Sequence, residues 1–299
     1  MIKNSLEYKT LHIKEIAKIC GSQDGAIFNN FLFRFGTRGE CHVYDMNEIE
    51  KATDPFNASA IASFPLDKAE LIVPHSNAVC FGNEFYASDD EFPLLYSNIY
   101  NNYANTENPL AGVCCVYRLQ RSSNGFKSTL VQIIEIGFTD STELWRSRLE
   151  PADVRPYGNF TIDPETSTLY AFTMRDAASS TRYFAFDLPK LSDGVFSERY
   201  GVKKVTLDIH DIKDQFDVEY HHYVQGACTH KGKIYSVEGF TNNEKNPPAL
   251  RIINTKTKQQ ELCVMFADLG MSIEAEMIDF KNDVCYYSDV KGNLYIIEF

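Results

Sequence analysis

Residues 275–288 read AEMIDFKNDVCYYS: a small polar opening, an apolar run, a two-residue turn and an aromatic-rich run. The same order recurs at 23–35 (QDGAIFNNFLFRF), 75–88 (HSNAVCFGNEFYAS), 157–172 (YGNFTIDPETSTLYAF) and 224–237 (VQGACTHKGKIYSV). Five copies of one unit mark a repeat architecture. Both runs of each copy are short and rich in β-branched or aromatic residues. Gly, Asn or Asp-Pro signals part them, as at Phe81-Gly82-Asn83 and His230-Lys231-Gly232. Each copy therefore predicts a β-hairpin.

Most copies supply a third and a fourth run: 41–46 with 62–66, 112–120 with 129–136, 182–188 with 204–209, and 249–254 with 261–266. Four strands per repeat predict the blade of a β-propeller. The opening positions Asp24, Ser76, Tyr157, Gln225 and Glu276 are spaced by 52, 81, 68 and 51 residues, longer than the roughly 40–50 of compact propeller repeats. Insertions account for the excess: 94–109 between the second and third strands of the second blade, and 139–155 and 208–223, each expected to hold a helical turn between blades. The last copy has room for three strands only, ending at 293–299 (NLYIIEF). That would leave a row of unpaired backbone groups. The N-terminal run 7–16 (EYKTLHIKEI) belongs to no other copy and is expected to supply the missing outer strand. The expected fold is all-β: a five-bladed β-propeller of four-stranded antiparallel blades, one domain over 1–299, closed by its N-terminal strand.

Composition supports a large ordered core. Hydrophobic residues make up 44% of the 299 residues, with 21 Phe and 17 Tyr, far from the composition of disorder. Charges at Lys3, Glu7, Lys9, Lys14, Glu15 and Lys18 interrupt the N-terminal stretch, so it does not read as a secretion signal. No run of 18 apolar residues occurs, which argues against a membrane-spanning helix. Most of the eight cysteines lie in apolar runs such as Ala78-Val79-Cys80-Phe81 and are expected to be free, buried thiols in a cytoplasmic protein. The vicinal Cys114 and Cys115 are expected to face opposite sides of one strand. Against 41 acidic residues stand 29 basic ones, a net charge of −12, so neither nucleic acid nor a membrane surface is an expected partner.

The repeat pattern resembles the broad β-propeller superfamily across nearly the whole chain. The final segment, 274–299 (EAEMIDFKNDVCYYSDVKGNLYIIEF), looks like the closing repeat common in bacterial sugar-binding, lactonase-like and NHL-like propellers. Five-bladed propellers include tachylectin-type lectins, calcium-dependent nucleotidases, and glycoside hydrolases of the arabinanase and invertase kinds. The resemblance implies a fold, and a shared fold does not carry function with it.

In such a ring the innermost strands line the axis, so polar residues at their starts can form a site. Here stand Gln23 and Asp24, His75 and Asn77, Arg155 and Tyr157, Gln225, and Glu274 and Glu276. Asp89, Asp90, Glu91 and Glu238 are expected at the ends of second strands, on the same rim. With Asp24, Glu274 and Glu276 they would make an acidic mouth. Such a mouth suits oxygen ligation of a divalent cation such as calcium, or an acid and base pair for glycoside hydrolysis. The arabinanase and invertase families place a carboxylate at the opening of the first blade, which Asp24 matches. They need others at the second and third, where this chain has Ser76 and Tyr157, so Asp89 or Asp90 would have to stand in. Tyr96, Tyr100 and Tyr103 in one insertion and Trp145 in another can stack on sugar rings. His221 and His222 point apart along a strand and are discounted as joint metal ligands. No phosphate-binding glycine loop, nucleophile elbow or zinc-binding helix occurs, and no motif calls for a cofactor. Gly36-Thr37-Arg38-Gly39 reads as a hairpin turn. The leading expectation is a binder of a carbohydrate or similar polar small molecule at the axial face; the alternatives are a glycoside hydrolase or other hydrolase, and a protein–protein scaffold.

Overall fold

A computed structural model of the chain describes residues 11–72, 74–99, 113–136, 159–172, 180–219 and 223–299. A leading strand, β1 (His12–Lys18), comes first, followed by β2 (Gly25–Phe28), β3 (Phe31–Phe35) and β4 (Glu40–Asp45). A short helix, α1 (Met46–Lys51), starts where the Asp45 carboxylate accepts from the Asn47 amide, satisfying a donor left free at a helix start. Then β5 (Phe56–Asn57) leads to β6 (Ala62–Pro65), and β2-β3-β4-β6 form the first blade.

The second blade runs β7 (Val79–Phe81), β8 (Leu95–Ile99), β9 (Val113–Ser122) and β10 (Gly125–Ile136). The third uses β11 (Phe160–Asp163), β12 (Thr168–Phe172), β13 (Ser180–Asp187) and, after a hairpin of β14 (Val195–Ser197) and β15 (Val202–Leu207), β16 (Asp214–Glu219). The fourth is β17 (Val224–His230), β18 (Lys233–Glu238), β19 (Ala249–Asn254) and β20 (Gln259–Met265). The fifth is β21 (Ala275–Lys281), β22 (Val284–Asp289) and β23 (Asn293–Glu298), completed by β1. β1 pairs antiparallel with β23 from His12↔Glu298 to Lys18↔Asn293, so the first strand of the chain closes the last blade.

The pleat explains why the sheets form a ring. Neighbouring residues on a strand face opposite sides of the sheet, and here both sides are apolar. In the first blade Leu32 packs at the seam with the fifth, beside Tyr286 and Leu294, while Phe33 packs at the seam with the second, beside Val79 and Leu95. Cys114 and Cys115 divide in the same way between the seams with the third and first blades. Five apolar clusters fill five seams. All eight cysteines are free, six of them buried.

The structure corrects the expected strands in two blades. Residues 84–88 do not form the second strand of blade two; β8 does, from within the stretch expected to be an inserted loop. Burial decides it: Phe92, Leu94, Leu95 and Tyr96 are at most 1% exposed, whereas Phe85 and Tyr86 are 43% and 50% exposed. Tyr96 is thus a core residue of a strand, not a loop aromatic. In blade three the run near 204–209 is not the fourth strand. Instead β15 pairs parallel with the outer strand of blade two, and β14 pairs with β15, making that sheet six-stranded. The expected helical turn within 208–223 is replaced by β16, whose DQFDVE buries Phe216 and Val218 between exposed acids. The fifth sheet also gains a strand, as the short β5 adds parallel to β1. The helical turn expected in 139–155 lies outside the described residues.

Two predictions follow from the closure. Deleting residues 1–18 removes β1 and with it Ala17 from a filled seam, leaving β23 with an open edge. The truncated protein is expected to aggregate or to melt well below the full chain in a thermal unfolding scan; an unchanged melting temperature contradicts closure by β1. The same seam holds Asp279 of β21, whose Oδ2 accepts from the Ile27 amide of blade one at 2.6 Å and whose Oδ1 accepts from Phe280 N at 2.8 Å. Burial pushes its carboxyl from 3.8 up to about 7, against the pull of both amides. The unfolded chain loses this proton near pH 4, whereas the fold holds it to about 7. The contribution is therefore full below the unfolded value and lost as pH rises through the folded one. The stability of wild type relative to Asp279→Asn should fall between pH 4.5 and 7.5, by on the order of a few kcal/mol. Denaturant titrations at both pH values check it, and a pH-independent difference would count against a neutral Asp279.

Candidate functional site

The inner strands β2, β7, β11, β17 and β21 begin at one end of the axis, and two of them begin irregularly. In β17 the register with β18 slips between Val224 and Gly226, so Gln225 is an extra residue. In β21 the register with β22 slips between Ala275 and Met277, so Glu276 is one too. A bulge breaks the alternation of side chains and re-aims the extra residue. These two stand at equivalent places in adjacent blades. Between them Gly226 permits a close approach: a Cβ there would lie 2.7 Å from the Glu276 carbonyl oxygen and 3.0 Å from Asp24 Oδ1.

Around this end of the axis runs a belt of hydrogen bonds that links every blade to the next. Asp24 is fully buried; its Oδ1 accepts from Gly25 N and its Oδ2 from Val79 N of blade two, each at 2.8 Å, while its own amide donates to the Ser76 carbonyl. Asn98 Nδ2 donates to Asn77 Oδ1 at 2.6 Å and to Asn159 Oδ1 of blade three at 3.1 Å. Asn159 Nδ2 donates to the Val224 carbonyl of blade four. Gln225 Nε2 donates to Glu274 Oε1, next to blade five. Arg34 Nη2 closes the belt, donating to the Ser22 carbonyl at 3.0 Å and to the Asp289 carbonyl of blade five at 3.1 Å. Buried polar groups require such partners.

Electrostatics at the belt follow from burial. The Asp24 carboxyl is held well above its usual range by burial, against the pull of its two backbone amides and of Arg34. Glu276, 1% exposed, is raised well above its usual range by burial, with Arg34 opposing and Glu274, Asp24 and Asp289 reinforcing. Glu274, half-buried, is raised by burial against its bonds from Gln225 and at Thr241. Two groups in the belt keep unbonded polar atoms in the interior: Arg34 at Nε and Nη1, and Glu276 at Oε2.

Of the residues expected at the site, Asp24, Asn77, Gln225, Glu274 and Glu276 are brought to this end of the axis. His75 is close by in sequence, half-buried, its imidazole pKa lowered by burial. Asp89 is not part of the mouth: it lies in the connection between β7 and β8, at the opposite end of the inner strand, where the neighbouring Asp90 pairs with Arg118 at 2.6 Å. The reason is the later position of β8, which leaves these acids before the second strand and not after it. Glu238 does end a second strand, yet it is fully buried and paired with Arg251 at 2.9 Å, accepting also from Ser236 Oγ. Arg251 in turn donates to Gln260, which donates to Glu219. Arg155, Tyr157, Tyr100, Tyr103, Trp145, His221 and His222 lie outside the described residues. Sequence reasoning missed Arg34, Asn98 and Asn159. Arg34 is the single polar residue of β3, and Asn98 stands beside Ser97 near the end of β8; polar residues in these mostly apolar second strands are the signal that could have found them. Among the described residues no three His, Cys, Asp or Glu side chains are grouped to hold a metal ion.

No protein family and no curated protein matches the chain. Similar solved structures include the glutaminyl cyclase of Myxococcus xanthus, 7% identical, with 95% of this chain and 98% of that one covered and a TM-score of 0.48. BamB of Moraxella catarrhalis is 9% identical over 93% of this chain and 59% of that one, with a TM-score of 0.35. Hydrazine synthase of Kuenenia stuttgartiensis is 10% identical over 89% and 61%, with a TM-score of 0.42. Sheet order and closure by β1 make the chain a five-bladed β-propeller.

Proposed function

We propose that this propeller is a non-catalytic binding protein that takes a polar small molecule, carbohydrate-like in its hydroxyl groups, at the end of the axis where the inner strands begin. The observation that carries the reading is the pair of bulges that present Gln225 and Glu276 from adjacent inner strands. Gln225 and Glu274 form the outer part of the site, since Glu274 is half-buried and Gln225 is 8% exposed. Amide and carboxylate groups side by side suit hydroxyls, which donate to one and accept from the other. Rigid strands hold them, as a selective site requires.

The hydrolase alternative has less support. Both Asp24 oxygens are occupied by backbone amides, Glu238 is neutralised by Arg251, and Asp89 is at the far end. Of the expected acids only Glu274 and Glu276 remain. A cytoplasmic setting is part of the proposal and rests on eight free thiols, which an oxidising compartment would tend to pair.

Gln225→Ala and Glu274→Ala test the reading. Each removes a hydrogen bond worth about 0.5–3 kcal/mol, so affinity should fall by up to roughly a hundredfold, while melting temperature changes little at half-buried Glu274 and only modestly at Gln225, which lies at the rim of the buried belt. Thermal shift against a panel of monosaccharides, disaccharides and polyols identifies the probe, and titration of the variants gives the loss. If no panel member stabilises the wild type and both variants melt well below it, the polar groups are structural and the proposal falls.

A further inference from the structure

The seam between blades five and one, filled by Leu32, Tyr44 and Leu294 among others, leaves a pocket of about 320 Å³ between α1 and the face of blade five. That size stands at the small end of the roughly 300–1,000 Å³ of small-molecule sites. The pocket lies away from the axial belt, since β21 begins at the belt and reaches the pocket only with its last residue, Lys281. Lys14, Ile296 and Tyr286 stand side by side across β1, β23 and β22. The register of β1 with β23 slips between Glu15 and Ala17, which makes Ile16 an extra residue, and β5 covers β1 only at Ala17 and Lys18. The floor is aliphatic: Ile49 is buried, whereas Ile16, Val284 and Ile296 remain half-buried at the edge of the seam. The wall is charged. Lys281 Nζ donates to both Glu50 oxygens, at 2.7 and 2.6 Å, and Tyr286 Oη donates to Glu50 Oε1 at 2.8 Å. Burial, and then Glu50, raise the Tyr286 phenol, so it stays protonated as that donor. Lys14 is exposed, and its ammonium has no acidic partner among the described residues. Two lysines against one glutamate leave the pocket one surplus positive charge, in a chain whose net charge is −12.

We infer that this pocket is a second binding site, for an aliphatic monocarboxylate whose chain lies on Ile16, Val284 and Ile296 and whose carboxylate stands at Lys14. The inference is independent of the axial reading. Moving the chain from water onto aliphatic surface supplies the affinity and covers the three side chains that the seam leaves half open. The charge supplies the selectivity. An alkyl ammonium in the same place would meet Lys14 with like charge, and an alcohol would leave Lys14 without a counter-charge. Glu50 does not oppose the anion, because Lys281 and Tyr286 already hold its carboxylate.

The test titrates the full chain with hexanoate, octanoate, 1-hexanol and 1-octanol at low salt, following the isoleucine methyl resonances by NMR. Octanoate is expected to shift Ile16, Ile49 and Ile296 most, and to bind severalfold more tightly than hexanoate, as burial of a longer chain requires. It should bind about threefold or more tightly than 1-octanol, the scale of one exposed ion pair. Lys14→Gln should bring octanoate down to the affinity of the alcohol with an unchanged melting temperature. Ala52→Trp, which places an indole in the pocket, should abolish binding of both. Absence of octanoate binding at millimolar concentration, shifts centred on other isoleucines, or equal binding of acid and alcohol overturns the inference. So does an acid preference that survives Lys14→Gln. If Ala52→Trp does not fold, the methyl shifts and Lys14→Gln decide between these outcomes. Each of them leaves the axial reading as it was.

Discussion

Every blade of this protein is apolar on both faces, and that single constraint governs the rest. A sheet with one apolar face can be capped by another sheet or by helices; a sheet with two must be flanked on each side. The alternation that sends Leu32 one way and Phe33 the other, or Cys114 and Cys115, leaves no blade able to bury itself. Stacking the sheets around an axis satisfies each of them only if the ring closes. The pairing of β1 with β23 therefore does more than complete a sheet. It joins the two ends of the chain in one blade and fixes the seam between blades five and one.

Closure also creates the axial belt. Five inner strands that begin at one end of the axis bring their first residues together there, where water is limited and each polar group needs a partner. The chain meets that need with different residues in each blade: a carboxylate in the first, amides in the second and third, an amide and two carboxylates in the fourth and fifth. A purely structural belt could be built from any self-satisfying set. This one holds a guanidinium and a carboxylate that remain partly unbonded at its centre. Both bulges fall in the same part of the ring, in the blades that adjoin the Arg34 seam or lie next to it.

Much of this was legible in the sequence. The five hairpins were readable because a turn between two short apolar runs is a local signal, and the missing strand of the last copy pointed to the N-terminus. The errors arose where two segments satisfied the same local pattern. EFYAS at 84–88 and LYSNI at 95–99 are both plausible second strands, and only burial in the assembled seam separates them. In the same way VKKVTL and DQFDVE both alternate, and the choice of neighbour for each depends on which sheet edge is open. At the axis, Asp24, Gln225 and Glu276 could be named because they open inner strands. The lone charge of Arg34 in FLFRF was a signal, but one that reads equally well as the exposed member of an edge hairpin. Its burial follows from blade five closing over it, a contact between residues some 250 positions apart in the chain.

The account depends on the ring being closed by β1. Native-state hydrogen exchange of the full chain tests this directly. The account predicts that the paired amides of β1 and β23, from His12↔Glu298 to Lys18↔Asn293, exchange as slowly as those of the other blades. Exchange of those amides at the rate of a fraying terminus would contradict it.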